Sequence, residues 1–438
     1  MSGDTDTAPV PGTAPILDTA PVPGFSLPIQ VVEAPGGFSA WLAEDHSVPV
    51  VSVSWSWEGG AALDPAGMEG AASMLSTLLT EGAGGLDALA FADAARDEAI
   101  GVNFDADRDS FEGGFRALLP ALPKAVELAR LAMTAPRFDD EAVARVRARA
   151  IASARQALEG PRGRASRAFW AAAFPSHPAG RPANGTAESI AAITVDAMRD
   201  LLARQVHRGG LLVAASGAIT APQLAAMLPE LFGALSGGTP PALPPLPAFT
   251  GFGTQVVPVT ASQSMLLFGQ QGIPVKDPEW ETAQVVMRIF SGGGFSSRLM
   301  KSLREERGLT YGVYAGLDQL FGNSVLVGSA ATANARVAEA LDLLRAEWKR
   351  MAEGGPTQEE MADAVSFLTG SQPLQFTDSR RIANTLLAMR RNDRPLDWLE
   401  RRPERLRAIG RDRAAKLAAR LLAPGTLSIT IAGQPAGL

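Results

Sequence analysis

VPVVSVSWSWEGG, residues 48–60, alternates apolar and polar side chains, and this alternation decides how the chain begins to fold. The apolar positions are Val51, Val53, Trp55 and Trp57, and the polar positions between them are Ser52, Ser54 and Ser56. A period of two residues predicts a β-strand with one buried face. We therefore expect the valines and tryptophans to face a core and the serines to face away from it.

The same order of signals occurs twice along the chain. A strand-like segment, QSMLLFGQQGIP at residues 263–274, corresponds to residues 48–60, and an Asp-Pro turn follows each, at 64–65 and 277–278. Each half continues with a helix that ends in glycines, further amphipathic helices, and a closing strand and glycine. Runs of strands and runs of helices, without strict alternation, favour an α+β fold with mainly antiparallel sheets.

A proline-rich stretch, SGGTPPALPPLPAF at residues 236–249, separates the two halves. We predict a flexible Pro/Ala/Thr-rich tail at 1–27, an N-terminal domain at 28–235, a Pro/Gly-rich linker at 236–250 and a homologous C-terminal domain at 251–438. The tail has neither a basic segment nor an apolar segment of signal-peptide type. Such tails often follow a removed signal, so we expect a periplasmic location, with a cytoplasmic one as the alternative.

Composition excludes several classes of function. The 438 residues carry a net charge of −6, without a basic cluster for nucleic acid and without an apolar run long enough to span a membrane. The absence of cysteine excludes disulfides and thiolate chemistry. The three histidines, His46, His177 and His207, are far apart, which argues against a histidine metal site, and we expect His177 to be a surface or loop-packing residue rather than a catalytic base.

The helix predicted within GAASMLSTLLTEGAGG, residues 70–85, has an unusual polar face. At about 100° per residue its small hydroxyl side chains fall in one stripe opposite an apolar face. The stripe consists of Ser73, Ser76, Thr77 and Thr80. Either these residues stand where a reactive site would otherwise be, or their hydroxyls bond back to helix carbonyls and have only a structural role.

From residue 30 onward the chain resembles the pitrilysin and mitochondrial-processing-peptidase family of zinc metallopeptidases, whose subunits contain two such domains. In active members this helix carries H-x-x-E-H, two histidine ligands and a glutamate base. On that pattern Ser73 and Thr77 stand at the histidine positions, Ser76 at the glutamate position and Ser153 near the third ligand. The resemblance implies no zinc and no independent peptide hydrolysis, because neutral hydroxyls are poor ligands and cannot act as the base.

A second motif, GGGFSSRLMKSLREERGLTYGVY at residues 292–314, resembles the C-terminal-domain signature of the same family. There an arginine and a tyrosine seven residues apart reach toward bound peptide, which corresponds to Arg304 and Tyr311. A glycine-rich loop in this position is associated with substrate handling, and the candidate residues in this chain are Gly292, Gly293, Gly294 and Phe295. The loop is shorter than in the mitochondrial non-catalytic subunit, and it lacks the Lys-Ser/Thr ending of a phosphate-binding loop.

The nearby charged residues have a simpler expected role. We expect Arg298 and Arg307 to be solvated or paired with Glu305 and Glu306. Taken together, the resemblance implies a non-catalytic subunit that completes the active site of a homologous H-x-x-E-H partner for peptide hydrolysis, with zinc in that partner only. A structural core-type protein without proteolytic activity and a peptide-binding homodimer remain as alternatives.

Overall fold

The computed structural model describes residues 26–438, so the predicted tail lies outside the described residues except for its last two positions. The strands are β1 (Gln30–Ala34), β2 (Phe38–Glu44), β3 (Val50–Glu58), β4 (Gly101–Ala106), β5 (Ser110–Leu118), β6 (Leu212–Gly217), β7 (Thr254–Pro258), β8 (Gln263–Gln271), β9 (Val313–Leu320), β10 (Asn323–Ala333) and β11 (Ser428–Gly433). In the described part of the chain they form two sheets.

The α-helices are α1 (Ala71–Leu78), α2 (Ala88–Asp97), α3 (Leu122–Thr134), α4 (Asp140–Glu159), α5 (Pro161–Ala173), α6 (Ala187–Ala192), α7 (Val195–Gln205), α8 (Ala221–Phe232), α9 (Trp280–Met287), α10 (Val337–Gly354), α11 (Gln358–Gly370), α12 (Ser379–Arg391), α13 (Arg402–Arg407) and α14 (Arg411–Leu421). Across the described residues, no helix combines the length and apolarity needed to cross a membrane.

Each half of the chain contributes one sheet. The first has the order β1-β2-β6-β3-β5-β4, and the second has the order β7-β11-β8-β10-β9. In each sheet one pair is parallel, β2 with β6 and β7 with β11, and the other neighbours are antiparallel. Helices cover both sheets, which confirms the predicted α+β class. Between the sheets, residues 236–253 contain no helix or strand.

Strand β3 differs from the prediction because both of its faces are buried. Trp55 and Trp57 pack in the first core as expected, but Ser52 and Ser54 are also only 0% and 5% exposed. Helix α12, from the second half of the chain, covers the serine face. Its polar side chains meet the serines, with Ser52 Oγ 2.9 Å from the Ser379 hydroxyl and Ser54 donating to Asn384 Oδ1 at 2.6 Å. The expectation of an uncovered serine face was therefore wrong.

Helix α5 makes the reciprocal contact, because it leaves the first half and packs on β8 and β11 of the second sheet. Its Phe169 is fully buried against Phe249 and Phe252, in a cluster that also includes Val325. The two halves thus exchange one helix each. Alternation of side chains along a strand is a local signal, and it carries no information about a helix that arrives from the other half.

This exchange predicts that damage to α12 destabilises both halves. Leu386 is fully buried in a cluster between α12 and the first sheet, so Leu386→Ala should lower the free energy of unfolding by about 2–5 kcal/mol. Arg381→Ala, at an exposed position of the same helix, should change it by less than about 0.5 kcal/mol. Denaturant unfolding followed by tryptophan fluorescence and by circular dichroism should shift together. A loss confined to one of two separate transitions would contradict the interlocked fold.

Candidate functional site

The first predicted site lies on α1, which a buried aspartate holds in place. Asp64, from the first Asp-Pro turn, accepts hydrogen bonds from the backbone N–H groups of Gly70 (2.7 Å) and Ala72 (2.8 Å). N–H groups at this end of a helix have no partner within the helix itself. Burial raises the pKa of the Asp64 carboxyl to about 7, and it outweighs the effect of the two N–H donors, which favour the carboxylate. The turn therefore fixes where α1 begins.

Three of the four hydroxyls in the stripe donate to carbonyls of the helix itself. Ser76 Oγ and Thr77 Oγ1 both donate to the carbonyl of Ser73, at 2.9 and 3.2 Å, and Thr80 Oγ1 donates to the carbonyl of Thr77 at 3.2 Å. Hydroxyls that bond to carbonyls three or four residues earlier are the structural alternative that the sequence allowed for this stripe. Neutral hydroxyls engaged in this way do not fit a zinc ion, and the stripe holds no carboxylate that could act as a base.

Ser73 and Ser153 line the same cleft, which has a volume of about 450 Å³. Helices α4 and α5 and the loop at 180–185 complete it. Ser153, predicted near the third ligand position, thus lies in the same cleft as Ser73, whereas Ser76 and Thr77 do not line it. Among residues 26–438, no group of three or more histidine, aspartate or glutamate side chains is arranged to hold a metal ion.

The three histidines lie in separate places. His46 is bonded to Glu44 at 2.8 Å, and His207 is buried beside Gly238 at the start of the predicted linker. His177 packs against Phe321 at 4.8 Å between ring centroids, and burial lowers its pKa. As expected, His177 is a packing residue of a loop.

The second predicted site brings Arg304 and Tyr311 together. The guanidinium of Arg304 stacks on the Tyr311 ring at 4.6 Å and on the Phe295 ring at 4.5 Å. Phe295 is 57% exposed and Tyr311 is 87% exposed, so the three side chains form an open cluster on the surface. We call Phe295, Arg304 and Tyr311 the Arg/Tyr cluster. Stacking on two rings holds a flexible arginine in one orientation while leaving its N–H groups accessible.

The glycine loop lies between two π-helical turns, Arg288–Gly292 and Met300–Glu306, and the second of these carries Arg304. π-Helical turns are rare in proteins, and those that occur are often found at functional sites. Gly292 and Gly294 are exposed and Gly293 is half-buried. The structure thus places the predicted loop next to the arginine, although its role in binding substrate stays a prediction.

Arg298 does not have the partner that its position in the sequence suggested. It forms a two-pronged ion pair with Glu360 at 2.6 and 2.7 Å and donates to the carbonyl of Gly355 at 2.9 Å. Only 13% of its side chain is exposed. Glu305 and Glu306 are close to Arg298 in sequence, but the fold places Glu360 of α11 next to the Arg298 guanidinium. The pair fastens the glycine loop to α11, and the expected pairing was wrong.

Three arginines that line the α1 cleft were not predicted from the sequence, namely Arg108, Arg167 and Arg181. They come from the β4–β5 turn, from α5 and from the loop that follows it. Arg108 lies over the Trp170 ring at 4.5 Å and donates to the carbonyls of Ala179 and Arg181 at 2.6 and 3.0 Å. Only the folded chain brings these segments together, because no spacing relates them.

Comparison with known proteins agrees with this geometry. Residues 192–368 match the family model described as "Peptidase M16 inactive domain". This part of the chain is therefore similar to the inactive domain of M16 peptidases. This confirms the resemblance inferred from the sequence. The chain is 26% identical over 344 residues to the non-peptidase homolog YmxG of Helicobacter pylori, a match covering 78% of this chain and 79% of that protein.

Uncharacterized zinc proteases are also similar over a shorter range. An uncharacterized zinc protease of Mycobacterium tuberculosis is 31% identical over 214 residues, which cover 48% of this chain and 49% of that protein. The chain therefore matches about half the length of this zinc protease. The inactive-domain match, the similarity to a non-peptidase homolog and the α1 stripe agree with a peptidase-like chain of non-catalytic type.

Solved structures share the whole fold. A peptidase M16 inactive domain from Pseudomonas fluorescens superimposes with a TM-score of 0.87 at 24% identity, over 93% of this chain and 98% of that chain. A chain of complex III2 from Candida albicans superimposes with a TM-score of 0.77 at 14% identity, over 93% of this chain and 96% of that chain. At these identities the likeness shows the fold alone.

The cleft predicts that the protein binds no stoichiometric zinc. Ser73 and Ser153 offer only neutral oxygens, and three arginines in the same lining repel a divalent cation. Elemental analysis after dialysis against a weak chelator measures the metal content. Restoring the motif with Ser73→His, Ser76→Glu and Thr77→His should still give no robust peptidase activity, because the third ligand is missing. One retained zinc per unaltered chain would contradict this prediction.

Proposed function

We propose that this chain is a non-catalytic subunit of a heterodimeric zinc metallopeptidase and that it completes the active site of a homologous H-x-x-E-H partner. The Arg/Tyr cluster is the observation that carries the proposal. Phe295 and Tyr311 are exposed and hold Arg304 by stacking, on a chain whose own α1 carries no histidine or carboxylate. This chain has no catalytic site of its own for the cluster to serve. A catalytic partner that faces the cluster would bring substrate into contact with these side chains.

The chemistry of the cluster suits peptide hydrolysis in a partner. Within the described residues, neither the Arg304 guanidinium nor the Tyr311 hydroxyl donates to another protein group. An always-protonated guanidinium and a phenol both donate to a carbonyl oxygen, whose negative charge grows as the tetrahedral intermediate forms. Because stacking fixes the guanidinium before substrate binds, little reorganisation is needed. We assign to the pair the binding and polarisation of a substrate carbonyl across the dimer.

The glycine loop supplies a left-handed backbone conformation next to these donors. Gly294 has a φ of 58° and no neighbour that an added Cβ would meet, so its glycine is required by backbone conformation rather than by space. Phe295 follows directly and supplies one of the two rings under Arg304. We propose that the loop sets the position of Phe295, and through it the orientation of the arginine, when peptide enters.

This proposal predicts a loss of turnover without a loss of assembly. In a mixture with an H-x-x-E-H partner, Tyr311→Phe and Arg304→Ala should each lower peptide turnover by about 100- to 1,000-fold, the usual effect of removing one donor to an oxyanion. Folding should be almost unaffected, since Tyr311 is exposed. Turnover of a short peptide and heterodimer formation by size-exclusion chromatography are measured on the same samples.

The chain offers a matched control for each variant. Tyr314 is its only other tyrosine and is 61% exposed, and Arg307 is exposed three positions after Arg304. Tyr314→Phe and Arg307→Ala should leave turnover unchanged. Unaltered turnover in both Tyr311→Phe and Arg304→Ala would refute the shared active site and favour a structural role. Loss of assembly would instead reassign the cluster to the subunit interface.

A further inference from the structure

The α1 cleft has a distinct charge. Among the described residues, its lining contains Arg108, Arg167 and Arg181 and no aspartate or glutamate. The protein as a whole is acidic, with a net charge of −6, so the positive charge of this cleft is opposite in sign to the net charge of the chain. A cleft with one sign of charge and low-dielectric walls focuses its field on a ligand of the opposite sign.

Two of the three arginines have unused donors. In the described part of the chain, the side chains of Arg167 and Arg181 make no hydrogen bond and no ion pair. Carboxylates are present nearby but outside the lining. Asp107, Asp109 and Asp318 interact with Arg108, while Glu188 interacts with Arg167. Arg108 is thus compensated and held by backbone carbonyls, whereas Arg181 and in part Arg167 retain charge for a ligand.

The cleft also offers neutral donors and an apolar wall. Ser153 and Ser166 have hydroxyls without a partner in the described residues, and both line the cleft with Ser73. The lining also contains apolar side chains, Trp170 and Leu158 with the alanines of α4. The volume of about 450 Å³ lies within the range of about 300–1,000 Å³ typical of ligand sites.

We propose that this cleft binds the carboxylates of an acidic peptide segment. The planar fork of an arginine accommodates a carboxylate with two parallel hydrogen bonds, and serine hydroxyls can donate to its remaining lone pairs. The apolar wall suits the methylene groups and backbone of a peptide, and a small inorganic anion would leave most of the volume empty.

This docking site is independent of the proposed partnership, because all of its residues belong to one chain. The test therefore uses the purified full-length protein alone. A fluorescently labelled peptide of alternating alanine and glutamate is titrated with protein, and fluorescence anisotropy gives its Kd. The same peptide with glutamine in place of glutamate is the matched ligand control. Unlabelled inorganic phosphate at constant ionic strength is the competitor that separates a carboxylate site from a general anion site.

The expected result is selective binding of the glutamate peptide. Arg167→Ala and Arg181→Ala should each raise its Kd about tenfold, because each removes a charge-assisted hydrogen bond to a carboxylate. Ser153→Trp, at an exposed position of α4, should abolish binding by filling the cleft. Arg401→Ala, which removes an exposed arginine of the second half, should leave the Kd unchanged. Circular dichroism verifies that each variant is folded.

Several results would overturn the proposal. Equal affinity for the glutamate and glutamine peptides would show that carboxylates are not recognised. An effect of Arg401→Ala as large as that of Arg181→Ala would show that only the overall charge matters. Unchanged affinity in folded Ser153→Trp would place the peptide outside the cleft. Displacement of the peptide by phosphate at equal concentration would leave a general anion site and would also contradict a site specific to acidic peptide.

Discussion

The packing of α12 on the serine face of the first sheet is the contact on which the remaining structure depends. It joins residues more than 300 positions apart, with Ser52 against Ser379 and Ser54 against Asn384. Arg390 strengthens it by donating to the backbone carbonyls of Ser39 and Val213 at 2.9 and 2.6 Å. Because α5 makes the reciprocal contact with the second sheet, neither half is covered on both faces without the other. The α1 cleft and the Arg/Tyr cluster thus belong to one interlocked body.

Much of this fold is visible in the sequence, because it is encoded locally. Alternating side chains predicted β3, and hydroxyl and apolar faces predicted α1. The exchanged helices could not be predicted in the same way. A serine face looks like a solvent-facing surface when the strand is considered alone, and small hydroxyls are suited to either environment. The packing of α12 on the serine face decides between a solvent-facing and a buried environment. The amphipathic pattern of α12 does not specify which sheet it covers.

The two sites were likewise predicted only in part from the sequence. The alignment of Ser73 and Ser153 on a metallopeptidase pattern led to one cleft, and the spacing of Arg304 and Tyr311 led to one stacked pair, because each rests on a motif. The partner of Arg298 and the three arginines of the cleft were missed, since they depend on segments that only tertiary structure brings together. Position along the chain favoured glutamates next to Arg298 in sequence, but the fold supplies Glu360 in two-pronged geometry.

An α1 helix without zinc ligands and an exposed Arg/Tyr cluster together lead us to propose a peptidase fold whose chemistry is divided between two chains. The most direct measurement compares peptide hydrolysis by this chain alone, by an H-x-x-E-H homologue from the same organism alone, and by their equimolar mixture. We predict no hydrolysis by this chain, little by the homologue and a large rate only in the mixture. Full activity of the homologue alone, unchanged when this chain is added, would contradict the division of the active site between two chains.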